Sequence, residues 1–382
     1  MKLILIDPHV TIKSPSMRAW VGAFPLVRDL FSEVEIWATE CDIPNDAVVT
    51  WRQVPQRLPS WTLHAMDFQY RTNRMSNALQ CTNQRLVQVT GCMVTNPDIR
   101  YIHYWNNALL EEQALRKQNF PLPLLKKIPA MLSAKKEKIA IRSSKSKDAW
   151  WVVSCSLGDH IQASGAAGVF DTLPNQYDPD RFHSKVRDEW REPMRTQYGF
   201  MSNEKVLTFS AFGHFERKGL RQAVEAVEML CVTGHKVRLL ILGGTITTIA
   251  RFQKTLRRSQ QDVCIFAGLV DHIERHLVAA DGFLFPSHFE AFSLAEIEAA
   301  ALGLRLYLTP HYGSEMILRE PINGRILPWD SAGMADVIAK DIQNGQLDSI
   351  HHEMGEAISK KQYGDRLRSL YQEAIDRKNL SL

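Results

Sequence analysis

The chain has 382 residues, of which 45% are apolar and 23% are charged, and its formal net charge is +4. This length exceeds one ordinary hydrophobic core and suits two α/β domains. The composition, without a low-complexity tract or a short repeat, favours a folded enzyme over a disordered chain or a solenoid. The first ten residues lack the basic start of a signal peptide, and no apolar run approaches the ~20 residues that span a bilayer. We therefore predict a cytoplasmic protein that does not cross a membrane.

Short apolar runs separated by helical patterns predict a mainly parallel sheet in each half of the chain. In the first half these runs cover residues 3–7, 34–38, 86–94, 99–105 and 150–154. The pattern restarts after about residue 200, with runs at 206–212, 236–244, 262–270, 281–286 and 305–310 and helical stretches at 220–231 and 293–302. The predicted fold class is therefore α/β, with two Rossmann-like, doubly wound domains.

Turn residues mark the boundary between the halves. Residues 173–182 have the sequence LPNQYDPDRF, and a charged, proline-containing run with little strand pattern follows as far as Tyr198. We place the N-terminal domain at 1–182, a linker at 183–200 and the C-terminal domain at 201–358. Residues 359–382 are predicted to form a C-terminal helix.

A strongly basic stretch lies in the first half, at residues 116–147. It contains ten cations and one acid, Glu137, so that its net charge is +9 in a chain whose total is +4. Apolar residues interleave with these charges, as they do in surfaces that lie on anionic lipid headgroups. Peripheral docking to the inner face of a membrane is one hypothesis, and a solvated basic face is the alternative. Nucleic-acid binding is disfavoured, because no recognition motif accompanies the charge.

Two carboxylates eight residues apart distinguish the segment 285–303, FPSHFEAFSLAEIEAAALG. An aromatic strand precedes them and an alanine-rich helix follows, so that Glu290 lies in the connecting loop and Glu298 on the helix. The backbone N–H groups at the helix start are donors suited to a diphosphate or to sugar hydroxyls. These are the N–H groups of Ala291, Phe292, Ser293 and Leu294. The structural alternative is a helix-favouring Glu290 and a solvated Glu298.

The spacing E-x7-E, after FPS and before EAAALG, resembles the donor-site motif of retaining glycosyltransferases of family 4, which have the GT-B architecture. The resemblance implies two Rossmann-like domains facing a central cleft, with the C-terminal helix packed back on the N-terminal domain. It also implies that Glu290 contacts the donor sugar and that Glu298 binds ribose hydroxyls. Ala291 and Ser293 replace the family's usual glycines, and Glu296 is a carboxylate that the motif does not require.

The segment FSAFGHFERKGL is similar to the family's first strand and loop of the donor domain. The family supplies an Arg and a Lys to the diphosphate there, and Lys218 matches the Lys. Gly213 stands where the family has its Arg, so that Arg217 or His214 would have to compensate for the missing cation. The alternative for Lys218 is a solvated side chain.

Three further positions come from the ends of predicted strands. Gly243, in LLILGG, permits close backbone approach at the carboxyl end of a sheet, where ligands bind in doubly wound folds. Gly268 and Leu269, in CIFAGLV, resemble the family's base-contacting segment. In NPDIRYIHYW, His103 matches the second histidine of the family's D-x-x-H-x-H strand end, which implies a contact with the donor sugar or the acceptor. A satisfied core histidine is the alternative.

The resemblance implies a retaining hexosyltransferase of polysaccharide or glycolipid synthesis. Its donor would be a nucleotide-diphosphate sugar, with UDP favoured over GDP, and its acceptor a hydroxyl of a glycan or lipid-linked glycan. Glu290, His103 and Lys218 would have the catalytic roles. Because the six cysteines show no C-x-x-C spacing, we predict reduced thiols, no metal and no other cofactor.

Two rival functions remain. A catalytically silent nucleotide-sugar-binding or scaffold protein of the same fold would explain the missing phosphate Arg and the altered glycines. A nicotinamide-dependent oxidoreductase would explain paired Rossmann-like halves, but it ranks lower because no GxGxxG follows LILID.

Overall fold

The computed structural model describes residues 1–58, 60–79, 82, 84–116, 124–351 and 353–380. The chain divides into two compact units. The first comprises Met1–Glu111, Leu122–Gln176 and Ile358–Leu382, and the second comprises Glu112–Pro121 and Tyr177–Ala357. Within the described residues, no helix has the length and apolar character needed to cross a membrane.

The first unit is built on a sheet of seven parallel strands. The strands of this part of the chain are β1 (Lys2–Ile6), β2 (His9–Val10), β3 (Glu33–Ala38), β4 (Glu40–Cys41), β5 (Val49–Gln53), β6 (Arg85–Thr90), β7 (Ile99–Ile102), β8 (Ala149–Val152) and β9 (Val169–Thr172). The sheet order is β5-β3-β1-β6-β7-β8-β9, while β2 and β4 pair separately. All residues of β7 and β8 are buried, as expected of strands covered on both faces.

Helices cover this sheet. They are α1 (Arg18–Ala23), α2 (Trp61–Asn77), α3 (Asn106–Leu115), α4 (Leu124–Ser143) and α5 (Cys155–Ala163), with 3-10 turns at Phe24–Leu26 and Arg28–Leu30. The last helix of the chain, Lys360–Leu380, also belongs to the first unit. Its buried face includes Tyr371, whose hydroxyl accepts a hydrogen bond from Trp20 Nε1 at 2.7 Å and donates one to the Gln88 side chain.

The second unit contains a sheet of six parallel strands. After β10 (Gln176–Tyr177), the elements are α6 (Ser184–Tyr198), β11 (Lys205–Ser210), α7 (Leu220–Val232), β12 (Val237–Leu242), α8 (Ile246–Gln253), α9 (Arg258–Val263), β13 (Cys264–Gly268), α10 (Ile273–Leu277), β14 (Gly282–Phe285), α11 (Leu294–Ala301), β15 (Arg305–Leu308), α12 (Ser314–Ile317), β16 (Gly324–Ile326) and α13 (Ser331–Gln343). A 3-10 turn at Gln346–Asp348 and β17 (Ile358–Ser359) precede the last helix, α14. The sheet order is β13-β12-β11-β14-β15-β16.

The segment 183–200, predicted as a linker, differs from that prediction because most of it forms α6, which belongs to the second unit. Three arginines spaced one turn apart hold α6 in the second unit, namely Arg187, Arg191 and Arg195. They donate hydrogen bonds to backbone carbonyls at 278–280 and to the carboxylate of Asp281. The charges that suggested a solvated linker are therefore the groups that dock the helix.

The carboxyl ends of the parallel strands define where a ligand would bind in the second unit. The loops after β11, β12, β13, β14 and β15 emerge at one edge of the sheet. These loops hold the residues that the sequence predicted for the donor side of the site, and the helix α11 holds Glu298.

Candidate active site

The loop between β11 and α7, residues 211–219, is here called the cation loop. It ends at Gly219, which has φ +74° and packs so closely on its neighbour that a Cβ would lie 2.0 Å from the carbonyl oxygen of Pro286. A backbone hydrogen bond of 2.8 Å from His288 N to Arg217 O joins the same two loops. Only glycine permits both the left-handed conformation and this approach, so the Lys-Gly pair places Lys218 over the next loop.

That next loop, residues 286–293 between β14 and α11, is here called the carboxylate loop. Its Glu290 accepts hydrogen bonds from three groups at one oxygen: Lys218 Nζ at 2.9 Å, Arg217 Nη1 at 3.0 Å and Ser287 Oγ at 3.1 Å. Arg217 also donates to the carbonyl of Phe289. The two cations and the carboxylate that the sequence singled out are therefore in direct contact, and Arg217, rather than His214, is the second cation on Glu290.

The contacts determine the ionisation of this cluster. Burial acts to raise the pKa of Glu290, but the charges of Arg217 and Lys218 outweigh it and lower the pKa to about 2. Burial also lowers the pKa of Lys218, while the Glu290 carboxylate opposes that shift. Glu290 is thus an ionised, cation-bound carboxylate at neutral pH. Glu290 is therefore a poor proton donor, and it positions the two cations where they could bind an anionic ligand.

The helix α11 begins at the last residue of the predicted donor cluster. Its N-cap is Ser293 and its first residue is Leu294, so that the first-turn N–H groups lie at and beyond this point. Ala291 and Phe292 precede the helix in the carboxylate loop and are buried. Glu298 lies in the middle of α11 and is partly buried. Of the four N–H groups predicted as a set, only the last belongs to the helix proper.

The strand-end glycines meet each other across neighbouring strands. Gly243 N donates to Gly268 O at 2.6 Å, and both residues have positive φ, +95° and +73°. A Cβ at Gly243 would lie 2.2 Å from the carbonyl oxygen of Ala211 in the cation loop. Leu269 follows with 55% of its surface exposed. The backbone after β12 and β13 is therefore held close to the cation loop.

His103 lies in the first unit, just after the end of β7, and does not belong to the cluster around Glu290. Its ring contacts the Tyr101 ring with a centroid separation of 3.9 Å. Burial lowers the pKa of His103 to about 3, so the imidazole is neutral at physiological pH. Among the described residues no group hydrogen-bonds to its buried Nε2 atom. This geometry suits a hydrogen bond between His103 Nε2 and a ligand.

A buried glutamate–histidine pair lies behind the carboxylate loop and was not predicted as part of the site. Glu296 Oε1 is 2.7 Å from His311 Nε2, and both side chains are almost fully buried. Glu296 is the carboxylate that the motif does not require, but His311 lies fifteen residues further along the chain, after β15. No local sequence signal connects the two, since only the parallel pairing of β14 and β15 brings them together.

Residues 203–344 match the family model described as glycosyl transferases group 1. Among curated proteins, the chain is similar to the amylovoran biosynthesis glycosyltransferase AmsK of Erwinia amylovora, with 26% identity over 183 residues, 45% of this chain and 42% of the relative. It is also similar to a glycogen synthase of Mycobacterium tuberculosis, with 33% identity over 130 residues, 32% of this chain and 30% of the relative. The matched segments thus span less than half the length of these relatives.

Solved structures resemble the whole chain at low sequence identity. Sucrose-phosphate synthase from Thermosynechococcus elongatus has a TM-score of 0.69 at 14% identity, covering 97% of this chain and 98% of that one. WaaG, a glycosyltransferase involved in lipopolysaccharide biosynthesis, has a TM-score of 0.68 at 15% identity, covering 99% and 98%. Anabaena HepE in complex with UDP and glucose has a TM-score of 0.63 at 13% identity, covering 97% and 99%. The predicted GT-B fold of two α/β domains with parallel sheets is confirmed.

Proposed function

We propose that this chain, whose residues 203–344 match the family model of glycosyl transferases group 1, is a retaining hexosyltransferase that uses a nucleotide-diphosphate sugar. The observation that supports this proposal is the convergence of Lys218 and Arg217 on Glu290 at the carboxyl edge of the second sheet. Two cations at a strand-to-helix loop suit a diphosphate, and a carboxylate beside them suits the hydroxyls of the attached sugar.

The proposed reaction breaks the bond between the anomeric carbon and the diphosphate oxygen and forms a bond from the acceptor oxygen to the same carbon. Lys218 and Arg217 stabilise the negative charge that develops on the leaving diphosphate. A phosphate oxygen on that face accepts the acceptor's proton. Glu290 orients the sugar through its hydroxyls. Its pKa of about 2 suits a charged hydrogen-bond acceptor rather than a proton-transfer group.

Uridine is the proposed base, and the proposed acceptor is a glycan or lipid-linked glycan. The structural neighbour HepE is described in complex with UDP and glucose. AmsK is named for amylovoran biosynthesis, and WaaG acts in lipopolysaccharide biosynthesis. In this chain the backbone around Gly268 and Leu269 would lie against the base and Glu298 would bind the ribose. His103 is the proposed contact for the sugar or the acceptor.

The first experiment is a panel of UDP- and GDP-hexoses with the purified protein, scored by release of nucleoside diphosphate. Hydrolysis or transfer of one UDP-hexose is expected. Tight binding of the nucleotide without release, even with lipid and glycan extracts added, would instead favour the catalytically silent binding protein.

Glu298→Ala is expected to raise the donor KM about 10- to 100-fold, because hydrogen bonds to a charged group contribute about 1.5–3 kcal/mol. The variant's kcat is expected to change less, since ribose binding is the same in ground and transition states. Asp336→Ala, an exposed carboxylate on α13, is the control. A KM that is the same in both variants would contradict the ribose role.

We also propose that α4 docks on an anionic membrane surface. The exposed face of α4 carries apolar side chains, namely Leu124, Ile128, Met131, Leu132 and Ile139, together with exposed cations, namely Lys135, Lys138 and Arg142. The single acid of the stretch, Glu137, is turned inward, where it accepts hydrogen bonds from Asn106 and Asn107 at the start of α3. The described part of the exposed face is therefore apolar and positive; residues 117–123 of the basic stretch lie outside the described residues.

Lys135→Ala/Lys138→Ala is expected to weaken binding to vesicles that contain anionic phosphatidylglycerol about 30-fold at low salt, because each cation near such a surface contributes about 1 kcal/mol. The measurement is vesicle co-sedimentation, with zwitterionic vesicles expected to bind neither protein. Lys236→Ala/Lys254→Ala removes two exposed cations of the second unit and serves as the matched control. Equal losses in the two double variants would show that total charge, not α4, drives binding.

A further inference from the structure

The Glu296–His311 pair connects three elements behind the carboxylate loop. His311 Nδ1 is 2.6 Å from the carbonyl oxygen of Thr309, at the end of β15. Thr309 Oγ1 donates at 2.7 Å to the carbonyl oxygen of Ser287, and Ser287 Oγ reaches Glu290 at 3.1 Å. A short chain of hydrogen bonds thus runs from Glu296 on α11 through the end of β15 to the carboxylate that holds the two cations.

The turn that contains His311 also packs directly against the carboxylate loop. Gly313 has φ +88°, and a Cβ there would lie 2.9 Å from Phe292 Cα. The rings of Tyr312 and Phe289 meet edge to face at 5.9 Å. Movement of this turn would therefore displace the loop that carries Glu290.

The hydrogen bond between Glu296 and His311 needs a proton on one of the two facing atoms, Oε1 or Nε2. A carbonyl oxygen only accepts, so His311 Nδ1 carries a hydrogen toward Thr309. At 2.7 Å, either Nε2 also carries a hydrogen and donates to a carboxylate, or a protonated Glu296 donates to Nε2. Loss of that proton would leave two acceptors facing each other and one uncompensated negative charge in a buried position.

Two carboxylates act on His311 from the elements around it, namely Glu296 on α11 and Glu290 in the carboxylate loop. Arg217 and Lys218 in the cation loop act on Glu290. Burial opposes the imidazolium, but the Glu296 carboxylate outweighs burial and raises the pKa of His311 above its usual 6.5. The charge on His311 in turn helps to lower the pKa of Glu290. The charge of Glu296 thus acts on Lys218, and the charge of His311 acts on the Glu290 carboxylate that binds the two cations.

We propose that Glu296 and His311 are positioning residues for donor binding: with their shared proton they hold the carboxylate loop against the cation loop, and without it they repel the diphosphate. The proposal rests on the proposed function, because the ligand is the diphosphate of a nucleotide sugar. Neither residue touches the substrate. Donor affinity should therefore depend on a proton that lies behind the site.

The sign of the pH dependence follows from the direction of the shift. A group whose pKa is higher in the folded protein stabilises the fold fully below its unfolded pKa, here about 6.5, and this contribution is lost as the pH rises through the folded pKa. The same loss of a proton leaves the negative charge of Glu296 uncompensated behind the proposed diphosphate position. Both nucleotide affinity and stability should therefore decline on the alkaline side.

Glu296→Gln separates the charge from the packing. Its amide can donate to Nε2 of a neutral His311, so that the side-chain volume and one hydrogen bond are retained while the charge is removed. The pKa of His311, followed by histidine NMR and assigned with His311→Gln, is expected to fall by at least about one unit, equivalent to a tenfold change in proton affinity. Glu228→Gln, a hydrogen-bonded carboxylate on α7, is the matched control.

The affinity for UDP, measured by calorimetry from pH 6 to pH 9, provides the decisive comparison. The ratio of variant to wild-type Kd cancels the titration of UDP itself. We expect a ratio near one at pH 6 that falls about tenfold as the wild-type pair loses its proton, because Glu296→Gln lacks the negative charge that this loss leaves uncompensated. His311→Gln, which never carries the charge, should bind weakly throughout and tests the proposal if Glu296→Gln does not fold.

The outcomes separate this inference from the proposed function. A lowered His311 pKa with a Kd ratio that does not change with pH would show that the pair only fills space, and would overturn the inference alone. A wild-type protein that binds no nucleotide diphosphate would overturn the proposed function and the inference together. A pH-dependent ratio in Glu296→Gln but not in Glu228→Gln would support the positioning role.

Discussion

Lys218→Ala is expected to lower the kcat of sugar transfer about 10²- to 10³-fold, the loss that follows removal of one preorganised group that stabilises developing negative charge. Lys218 Nζ lies 2.9 Å from Glu290 and 4.7 Å from the centre of the Phe285 ring, in a pocket with little solvent. Electrostatic interactions are strengthened where water is excluded. Because the charge on the diphosphate grows as the sugar bond breaks, the effect on kcat should exceed the effect on donor KM.

Steady-state kinetics with the UDP-hexose identified in the donor panel would measure this effect. Lys254→Ala, an exposed lysine that follows α8, is the control for the loss of one positive charge. Lys218→Arg should restore part of the rate, since it keeps the charge but not the compact geometry of an ammonium group. A kcat within twofold of the wild type in Lys218→Ala would mean that Arg217 alone serves the leaving group, and the assignment to Lys218 would be wrong.

Tyr371→Ala is expected to destabilise the first unit by about 3–5 kcal/mol, the usual cost of removing a large buried aromatic side chain. Tyr371 is fully buried, and its ring meets those of Trp151 and Phe31 edge to face at 5.0 and 5.1 Å. Its hydroxyl accepts a hydrogen bond from Trp20 Nε1 and donates one to Gln88 Oε1. The variant would leave both a cavity and unpaired polar groups in the centre of the unit.

Calorimetry of thermal unfolding would test this prediction, because a two-unit protein can show separate transitions. A loss of this size should lower the first unit's transition by roughly 10 °C. Tyr371→Phe keeps the ring and should cost only about 1–3 kcal/mol through the lost hydrogen bonds. Gln372→Ala, one residue further along and exposed, should change little. Similar transitions for Tyr371→Ala and Gln372→Ala would mean that α14 contributes little to the unit's stability.

Most strands of both sheets could be predicted from the sequence because their burial on both faces produces continuous apolar runs. The edge strands β5, β9 and β16 were not predicted, since they are only partly buried and lack such runs. The predictions at 3–7 and 305–310 match β1 and β15 closely. The run predicted at 86–94 is longer than β6, which ends at Thr90, and the one at 262–270 includes the end of α9. Apolar character indicates burial, but where the ladder of hydrogen bonds ends depends on the neighbouring strand.

The helix α6 shows why a charged segment was difficult to interpret. Its arginines satisfy carbonyl groups and Asp281 in the second unit, and these partners lie 84 or more residues away in the chain. Without the partners, a run rich in Arg, Glu and Asp with an internal proline has the composition of a solvated connection. The burial of Arg187 and Arg195 could not be deduced from local pattern.

By itself, the sequence determined the fold class and the local position of Glu290, Glu298 and Lys218, because strand, loop and helix patterns depend on neighbours along the chain. The tertiary structure was needed to establish that Arg217 joins Lys218 on Glu290, that Glu137 is turned away from the basic face, and that His311 lies within hydrogen-bond distance of Glu296. These contacts join residues far apart in sequence. The pairing of parallel strands and the packing of helices, which no short window of sequence contains, bring them within hydrogen-bond distance.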